Sequence, residues 1–173
     1  MRRVLVIGNA GTGKTTLAVR LGEALGLPVI HLDALYRKPG WQSTPRDEWR
    51  ATLSDLVERD AWVMDGNYHS SLDVRLPEAD TVVLLDLPRR FCIWRVITRW
   101  LTHIGRTRPD MAPGCPERVD WEFLRWIWGY PRTALPDILW QLDALPDTTR
   151  VHHLRSRREI DRFLAAARAA PHA

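Results

Sequence analysis

Residues 4–16 read Val-Leu-Val-Ile-Gly-Asn-Ala-Gly-Thr-Gly-Lys-Thr-Thr, and this stretch decides the fold. Its first four residues are continuously apolar, which predicts a strand that is buried on both faces of a sheet. Three glycines follow, and after them apolar residues recur at helical spacing. The residues on that helical face are Leu17, Leu21, Ala24 and Leu25. The stretch therefore predicts a buried strand, a tight glycine-rich loop and a helix, in that order.

The loop Gly8–Thr15 has glycine, glycine, lysine and threonine at the four fixed positions of the P-loop pattern. In that pattern the backbone N–H groups and the N-terminus of the helix converge on phosphate oxygens. We expect Lys14 to reach the β- and γ-phosphates of ATP and the Thr15 hydroxyl to bind Mg²⁺. The predicted cofactors are therefore ATP and Mg²⁺. The predicted nucleotide-binding residues of the loop are Gly8, Ala10, Gly11, Thr12, Gly13, Lys14, Thr15 and Thr16.

Short apolar runs alternate with longer helix-like stretches along the chain, which predicts an α/β domain of three layers. We expect helices on both faces of a five-stranded parallel sheet, and a single domain over residues 1–173. The predicted strands are Arg3–Ile7, Pro28–His31, Ala61–Met64, Thr81–Leu85 and Arg150–Leu154. Helices are predicted after Gly13, from N-cap Thr44 to about Arg59, from Arg89 to about His103, from Glu117 to about Leu145 with a break near Pro131, and from Ser156 to about Ala169.

The chain has a net charge of +4 and a pI near 9.6, and nearly all its basic residues are arginines. Enzymes that handle phosphates and proteins that bind nucleic acids both have this composition. The arginines are scattered rather than contiguous, so we expect no nucleic-acid partner. The sequence lacks a run of about 18 apolar residues, so we also expect no membrane partner and a cytoplasmic location.

A P-loop is shared by switch GTPases, motor ATPases and small-molecule kinases. GTPases carry an Asn-Lys-x-Asp guanine-binding motif, and this string does not occur in the sequence. Motor ATPases normally need more than 173 residues. The length and the motifs therefore favour a small kinase.

The sequence resembles nucleoside-monophosphate kinases such as adenylate kinase at three places: Asp65-Gly66, Leu87-Pro88, and Arg95 with Arg99. The resemblance implies that Asp65 supports the magnesium ion, that Arg95 lies against the nucleotide base and that Arg99 contacts phosphates. It also implies a LID that closes over ATP.

The predicted LID spans about residues 104–118 and contains two arginines, Arg106 and Arg108, as its expected phosphate contacts. Asn67-Tyr68 stands where monophosphate kinases carry Phe-Pro-Arg, which removes the arginine that holds the acceptor phosphate in those enzymes. The resemblance therefore does not imply an ordinary nucleoside monophosphate as the acceptor.

The whole chain is more similar to a bacterial group labelled DNA topology modulation proteins, or adenylate-kinase-like P-loop kinases. The similarity runs from Val4 to about Leu164, and its marks include His31–Leu35, Lys38–Trp41, Asp65–Tyr68, Thr107–Met111 and Phe123–Trp128. It implies the fold of nucleotide kinases, while the motifs leave the substrate of the group open.

Asp33 is the predicted catalytic base. It is expected to end the second strand, at the sheet edge where acceptors bind in this architecture, and the alternative is a turn residue. A carboxylate there can accept the proton of an acceptor hydroxyl. The predicted catalytic residues are Lys14, Asp33, Arg99 and Arg108; the predicted acceptor-site residues are Asp33, Trp41, Asp65, Asn67 and Tyr68; the predicted metal ligands are Thr15 and Asp65.

Six tryptophans at helical spacing are predicted to lie in the core: Trp94, Trp100, Trp121, Trp126, Trp128 and Trp140. Taken together, the sequence predicts an ATP- and Mg²⁺-dependent phosphotransferase that acts on a small-molecule or nucleotide-like acceptor. Two alternatives remain open at this point, a weak ATPase and a nucleotide-dependent regulator that binds DNA.

Overall fold

The computed structural model describes residues 1–103, 105, 111–116 and 118–169. The strands are β1 (Arg3–Gly8), β2 (Val29–His31), β3 (Arg37–Lys38), β4 (Gln42–Ser43), β5 (Trp62–Asp65), β6 (Thr81–Leu85) and β7 (Arg150–Leu154). The helices are α1 (Lys14–Leu25), α2 (Leu32–Tyr36), α3 (Arg46–Val57), α4 (Leu72–Arg75), α5 (Arg89–Thr102), α6 (Trp121–Thr133), α7 (Leu135–Asp143) and α8 (Arg157–Ala169).

Five of the strands form one parallel sheet in the order β2-β5-β1-β6-β7. The predicted fold class is confirmed, and each predicted strand agrees with the observed one to within a residue at either end. The short strands β3 and β4 pair with each other in a separate antiparallel hairpin. This hairpin was not predicted, because two-residue strands leave no periodic pattern in the sequence.

The central strand β1 explains why the sheet has helices on both faces. Successive side chains of a strand point to opposite faces, and in β1 both sets are apolar. Leu5 and Ile7 pack with residues of α3, α4 and α7 on one face. Val4 and Val6 pack with residues of α1 and α8 on the other. A strand that is buried on both sides therefore forms the centre of a three-layer domain.

Three predicted helix boundaries are wrong. The helix predicted from Glu117 begins at Trp121, since residues 118–120 are not helical. Thr44 is not an N-cap, since its hydroxyl donates a hydrogen bond to the Tyr36 carbonyl at 2.8 Å and Pro45 takes the cap position of α3. The break predicted near Pro131 falls later, because α6 continues through Pro131 to Thr133 and α7 starts at Leu135. The capping pair at the start of α8 is confirmed, with the Glu159 N–H donating to the Ser156 hydroxyl.

The prediction that the helical tryptophans form part of the core is also wrong. Five of the six are exposed, namely Trp94, Trp121, Trp126, Trp128 and Trp140. Helix α5 buries only Cys92 and Val96 fully, and Phe91 and Ile93 pack half-buried beside them. Trp94 and Trp126 line a large cleft instead of the core. Trp121, Trp128 and Trp140 are exposed and do not line this cleft, so helical spacing of tryptophans did not identify the core face of these helices.

The described helices are short for membrane segments. Helix α5, the longest of them, has 14 residues, whereas a bilayer-spanning helix needs about 20 apolar residues. No helix in the described part of the chain is long and apolar enough to cross a membrane.

We predict that two tryptophans of this chain differ widely in their contribution to stability. Trp62 is fully buried in the core, whereas Trp140 is 74% exposed. Trp62→Ala should lower the free energy of unfolding by about 3–5 kcal/mol through the cavity it leaves. Trp140→Ala should change it by less than about 0.5 kcal/mol. Urea denaturation followed by circular dichroism measures both, and equal losses would contradict the core as described.

Candidate active site

The carboxyl ends of the parallel strands open into a cleft of about 1180 Å³. It is lined by the predicted P-loop residues from Ala10 to Thr16 except Thr12, by all five predicted acceptor-site residues, and by Arg95 and Arg99. Thr12 faces a small neighbouring pocket, and Gly8 ends β1 below the loop. Arg106, Arg108 and five further residues of the predicted LID lie outside the described residues. The roles of the residues that line the cleft stay predictions, but the fold itself brings these residues together.

The P-loop can curl tightly because its glycines allow it. Gly11 has a φ of 80°, and a Cβ atom there would lie 2.4 Å from the carbonyl oxygen of Cys92. Lys14 curls back over the loop and donates to the Asn9 carbonyl at 2.9 Å. Burial lowers the pKa of Lys14, while the nearby Asp33 and Asp65 carboxylates act in the opposite direction. The loop therefore places the Lys14 amino group at the base of the cleft.

Asp65 connects the P-loop to the sheet. The register of the sheet places it beside His31 of β2, and its Oδ1 lies 2.5 Å from the His31 Nδ1. Its Oδ2 accepts a hydrogen bond from the Thr15 hydroxyl at 2.8 Å. The contact of His31 was missed, because the sequence alone does not reveal which strands are neighbours.

Thr15 and Asp65 supply hydroxyl and carboxylate oxygens, the ligand chemistry that Mg²⁺ prefers. The described residues contain no group of three or more His, Cys, Asp or Glu side chains that could hold a metal ion. A pair of protein oxygens nevertheless fits magnesium, which usually retains waters and takes phosphate oxygens of the substrate as its other ligands. The residues present therefore fit the predicted ion.

Asp33 lies in α2, two residues beyond the end of β2, so the prediction that it ends the strand is wrong by that margin. Its Oδ1 accepts a hydrogen bond from the Tyr68 hydroxyl at 2.7 Å. Burial first, and the neighbouring Asp33 carboxylate second, raise the pKa of Tyr68. The phenol therefore stays protonated at neutral pH and orients the Asp33 carboxylate.

Arg75 shapes the segment that carries Asn67 and Tyr68, a role that no sequence pattern predicted. Its guanidinium is fully buried and donates to the carbonyls of Gly66, Asn67 and Tyr68 at 2.8–3.0 Å. Tyr68 has a φ of 26°, a conformation that a non-glycine residue adopts only when its surroundings hold it there. Burial lowers the pKa of Arg75 to about 9, so the group is still charged at neutral pH.

Arg95 covers the P-loop from α5. A Cβ atom at Gly13 would lie 2.7 Å from the Arg95 Nη1, so the guanidinium contacts the backbone of the loop. Burial lowers the pKa of Arg95, and the positive charges of Arg157 and Arg99 add to the effect. Arg99 follows one helical turn later and lines the same cleft. The two arginines predicted by resemblance therefore lie on the P-loop side of the cleft.

Comparison with solved structures shows the fold. A sugar kinase from Janibacter sp. HTCC2649 is 21% identical with a TM-score of 0.52, over 95% of this chain and 93% of that one. A gluconokinase from Sinorhizobium meliloti 1021 is 18% identical with a TM-score of 0.54, over 97% and 90%. A shikimate kinase from Bacteroides thetaiotaomicron is 16% identical with a TM-score of 0.53, over 95% of each chain. The chain therefore has the P-loop kinase fold.

Comparison by sequence covers a small part of the chain. A stretch of 45 residues is 42% identical to a cytidylate kinase from Nitratidesulfovibrio vulgaris, which amounts to 26% of this chain and 19% of that protein. No family model matches the chain. Membership of the DNA topology modulation group therefore stays a prediction.

We predict that Arg75→Met destabilises the protein through the carbonyls that it leaves buried without a donor. The expected loss in the free energy of unfolding is about 3 kcal/mol, since one unsatisfied buried group costs about 1–3 kcal/mol. Arg132→Met is the control, because Arg132 is exposed on α6. Urea denaturation gives the stability, and hydrogen exchange should show faster exchange at residues 66–71 in Arg75→Met. Equal stability of the two variants would contradict the role of Arg75.

Proposed function

We propose that this protein is a kinase that transfers the γ-phosphoryl group of ATP to a hydroxyl group of a small-molecule acceptor, with Mg²⁺ as cofactor. The observation that carries the proposal is the position of Asp33. Its carboxylate lines the same cleft as the P-loop, and Tyr68 is its side-chain hydrogen-bond partner among the described residues. A binding module needs a phosphate-binding loop, but it does not need a carboxylate oriented toward a second ligand.

On the nucleotide side, the P-loop backbone would hold the phosphates and Lys14 would balance the charge that builds up on the transferred group. Arg95 and Arg99 would lie along the nucleotide from α5. Thr15 and Asp65 would hold Mg²⁺, directly or through water. When bound, the ion supplies a Lewis acid that neutralises negative charge on the β- and γ-phosphates.

On the acceptor side, Asp33 would accept the proton of the acceptor hydroxyl. The hydroxyl oxygen forms a bond to the γ-phosphorus, and the bond from that phosphorus to the β,γ-bridging oxygen breaks. ADP leaves with the bridging oxygen, and the proton passes to the Asp33 carboxylate. Tyr68 would hold Asp33 in position through its 2.7 Å hydrogen bond during this step. Trp41, Asn67 and Tyr68 would form walls of the acceptor site.

The names of the structural neighbours agree with a small-molecule kinase. They are a sugar kinase, a gluconokinase and a shikimate kinase, and the partial relative is a cytidylate kinase. Because the acceptors in these names differ in kind, the names support the reaction class, a kinase, but do not indicate which acceptor this chain phosphorylates.

Lys14→Ala should abolish ATP turnover while leaving the fold intact, because the transferred phosphoryl group loses a fixed positive charge in a site shielded from water. ADP release measures turnover, and circular dichroism measures the fold. Turnover within about threefold of the wild type would rule out a catalytic P-loop, since one transition-state contact of this kind is worth at least about tenfold.

Asp33→Asn should keep the affinity for ATP and lower phosphoryl transfer by about 10²-fold or more, the usual range for losing a general base. The amide keeps the shape of the carboxylate and can still contact Tyr68. Asp55→Asn is the matched control, because Asp55 is exposed on α3 and should leave both quantities unchanged. Titration gives the ATP affinity, and coupled ADP release with detection of the phosphorylated acceptor gives the rate.

Two results of this experiment would contradict the assignment of Asp33. If ATP affinity falls together with the rate, Asp33 belongs to the metal site. If neither quantity changes, Asp33 is a turn residue. ADP release by the wild type without any phosphorylated acceptor would make the protein an ATPase and contradict the kinase proposal itself.

A further inference from the structure

Two arginines lie beside the same tryptophan in the wall of the cleft. The guanidinium carbon of Arg118 is 4.6 Å from the centroid of the Trp41 ring, and that of Arg37 is 5.7 Å from it. Arg37 belongs to the hairpin strand β3, and Arg118 lies just before α6. All three side chains line the cleft. Two separate chain segments therefore bring positive charge to one place.

Neither guanidinium has an acidic partner in the described part of the chain. Arg37 donates through Nη1 to the Ser43 hydroxyl at 2.9 Å and to the Trp41 carbonyl at 3.4 Å, and no described group accepts from its other nitrogens. Arg118 has no hydrogen-bond or ion-pair partner among the described residues, and its guanidinium lies over the ring of Trp41. By contrast, Arg3, Lys38 and Arg50 each form an ion pair with a nearby carboxylate.

The acidic side chains that line the cleft do not pair with these two arginines. Asp33 accepts from Tyr68, and Asp65 accepts from Thr15. Asp120 caps α6 by accepting from the Phe123 N–H at 2.8 Å. Glu122 is exposed in the first turn of α6 and forms no ion pair with either arginine. The positive charge beside Trp41 is therefore not neutralised by the described residues of the protein.

This position is close to the proposed catalytic base. The Arg37 guanidinium lies 5.2 Å from the Tyr36 ring centroid, and the Tyr36 ring lies 4.7 Å from that of Tyr68. The Tyr68 hydroxyl in turn contacts Asp33. A small molecule can thus reach from Asp33 to Arg37 along a wall of aromatic rings.

We propose that the acceptor carries an anionic group, a carboxylate or a phosphate, which binds beside Trp41 between Arg37 and Arg118. This inference rests on the proposed kinase function and narrows its substrate class to small hydroxylated anions such as sugar acids or sugar phosphates. Arginine suits such a group because its planar guanidinium donates two parallel hydrogen bonds to carboxylate or phosphate oxygens. The Trp41 ring would pack against the carbon skeleton of the acceptor.

The first part of the test measures binding alone. Isothermal titration compares D-gluconate with D-glucose, and D-ribose 5-phosphate with D-ribose, on the full chain. We expect the anionic member of at least one pair to bind about tenfold more tightly or better, as expected for a hydrogen bond between charged groups. The pair that shows the difference tells whether a carboxylate or a phosphate is preferred. Equal affinity within both pairs overturns the proposal.

The second part compares Arg37→Gln and Arg118→Gln with a matched control. Each should weaken binding of the preferred anion by about tenfold or more and leave the affinity for its neutral partner unchanged. Arg132→Gln is the control, because Arg132 is exposed on α6 and does not line the cleft. If both cleft variants bind the anion as Arg132→Gln does, the proposal is wrong.

The third part separates this inference from the kinase function by measuring phosphorylation of the same four compounds. Anion binding that depends on Arg37 and Arg118, with no compound phosphorylated, supports the anion site and contradicts the kinase proposal. Phosphorylation that favours the neutral compounds supports the kinase and overturns the anion site. Phosphorylation of an anion that falls in both cleft variants supports both.

Discussion

The Asp65 carboxylate fixes the geometry on which the cleft depends. It is 5% exposed, and a carboxylate buried to that extent must have hydrogen-bond donors or opposite charges around it. Thr15 at the start of α1 occupies one of its oxygens, and His31 at the end of β2 occupies the other. One side chain thereby ties the P-loop and an edge strand to the interior strand β5. Lys14 directly precedes Thr15, and its amino group donates to the Asn9 carbonyl, so contacts within the protein position this side chain over the P-loop.

The acceptor end of the cleft depends on a different arrangement. Arg75 brings the carbonyls of residues 66–68 around one buried guanidinium, and this holds Tyr68 at its positive φ. Such a conformation costs on the order of 1–3 kcal/mol. The Tyr68 ring offsets part of that cost by packing against Tyr36 and Trp49 at 4.7 and 5.2 Å. Asp33 is therefore oriented before any ligand binds, which reduces the reorganisation needed during the reaction.

The sequence predicted what depends on local pattern. The P-loop and its strand and helix were predicted correctly because this glycine spacing and a continuous apolar run are each typical of one local structure. The sheet neighbours of Asp65 were not predictable in that way, because His31 meets it only through the order of the strands. Arg75 had no signal either, since a buried arginine paired with carbonyls looks in sequence like any surface arginine. The prediction for the exposed tryptophans is wrong because helical spacing alone does not distinguish a position in the core from one that borders a cleft or solvent.

The wall of the cleft at Trp41 is joined to residues 111–116 by hydrogen bonds and by a small apolar cluster, in which Trp41 packs against the buried Met111, Ala112 and Cys115. The Gly40 N–H donates to the Gly114 carbonyl at 3.1 Å, and the Trp41 Nε1 donates to the Pro116 carbonyl at 3.2 Å. The Cys115 thiol donates to the Lys38 carbonyl at 3.3 Å. Separating the hairpin from residues 111–116 would break these hydrogen bonds, each worth a net of about 0.5–1.5 kcal/mol, and would also expose the apolar cluster to water. The Trp41 wall is therefore held by burial as well as by hydrogen bonds, and its contacts involve other residues than the Asp65 contacts that position the P-loop.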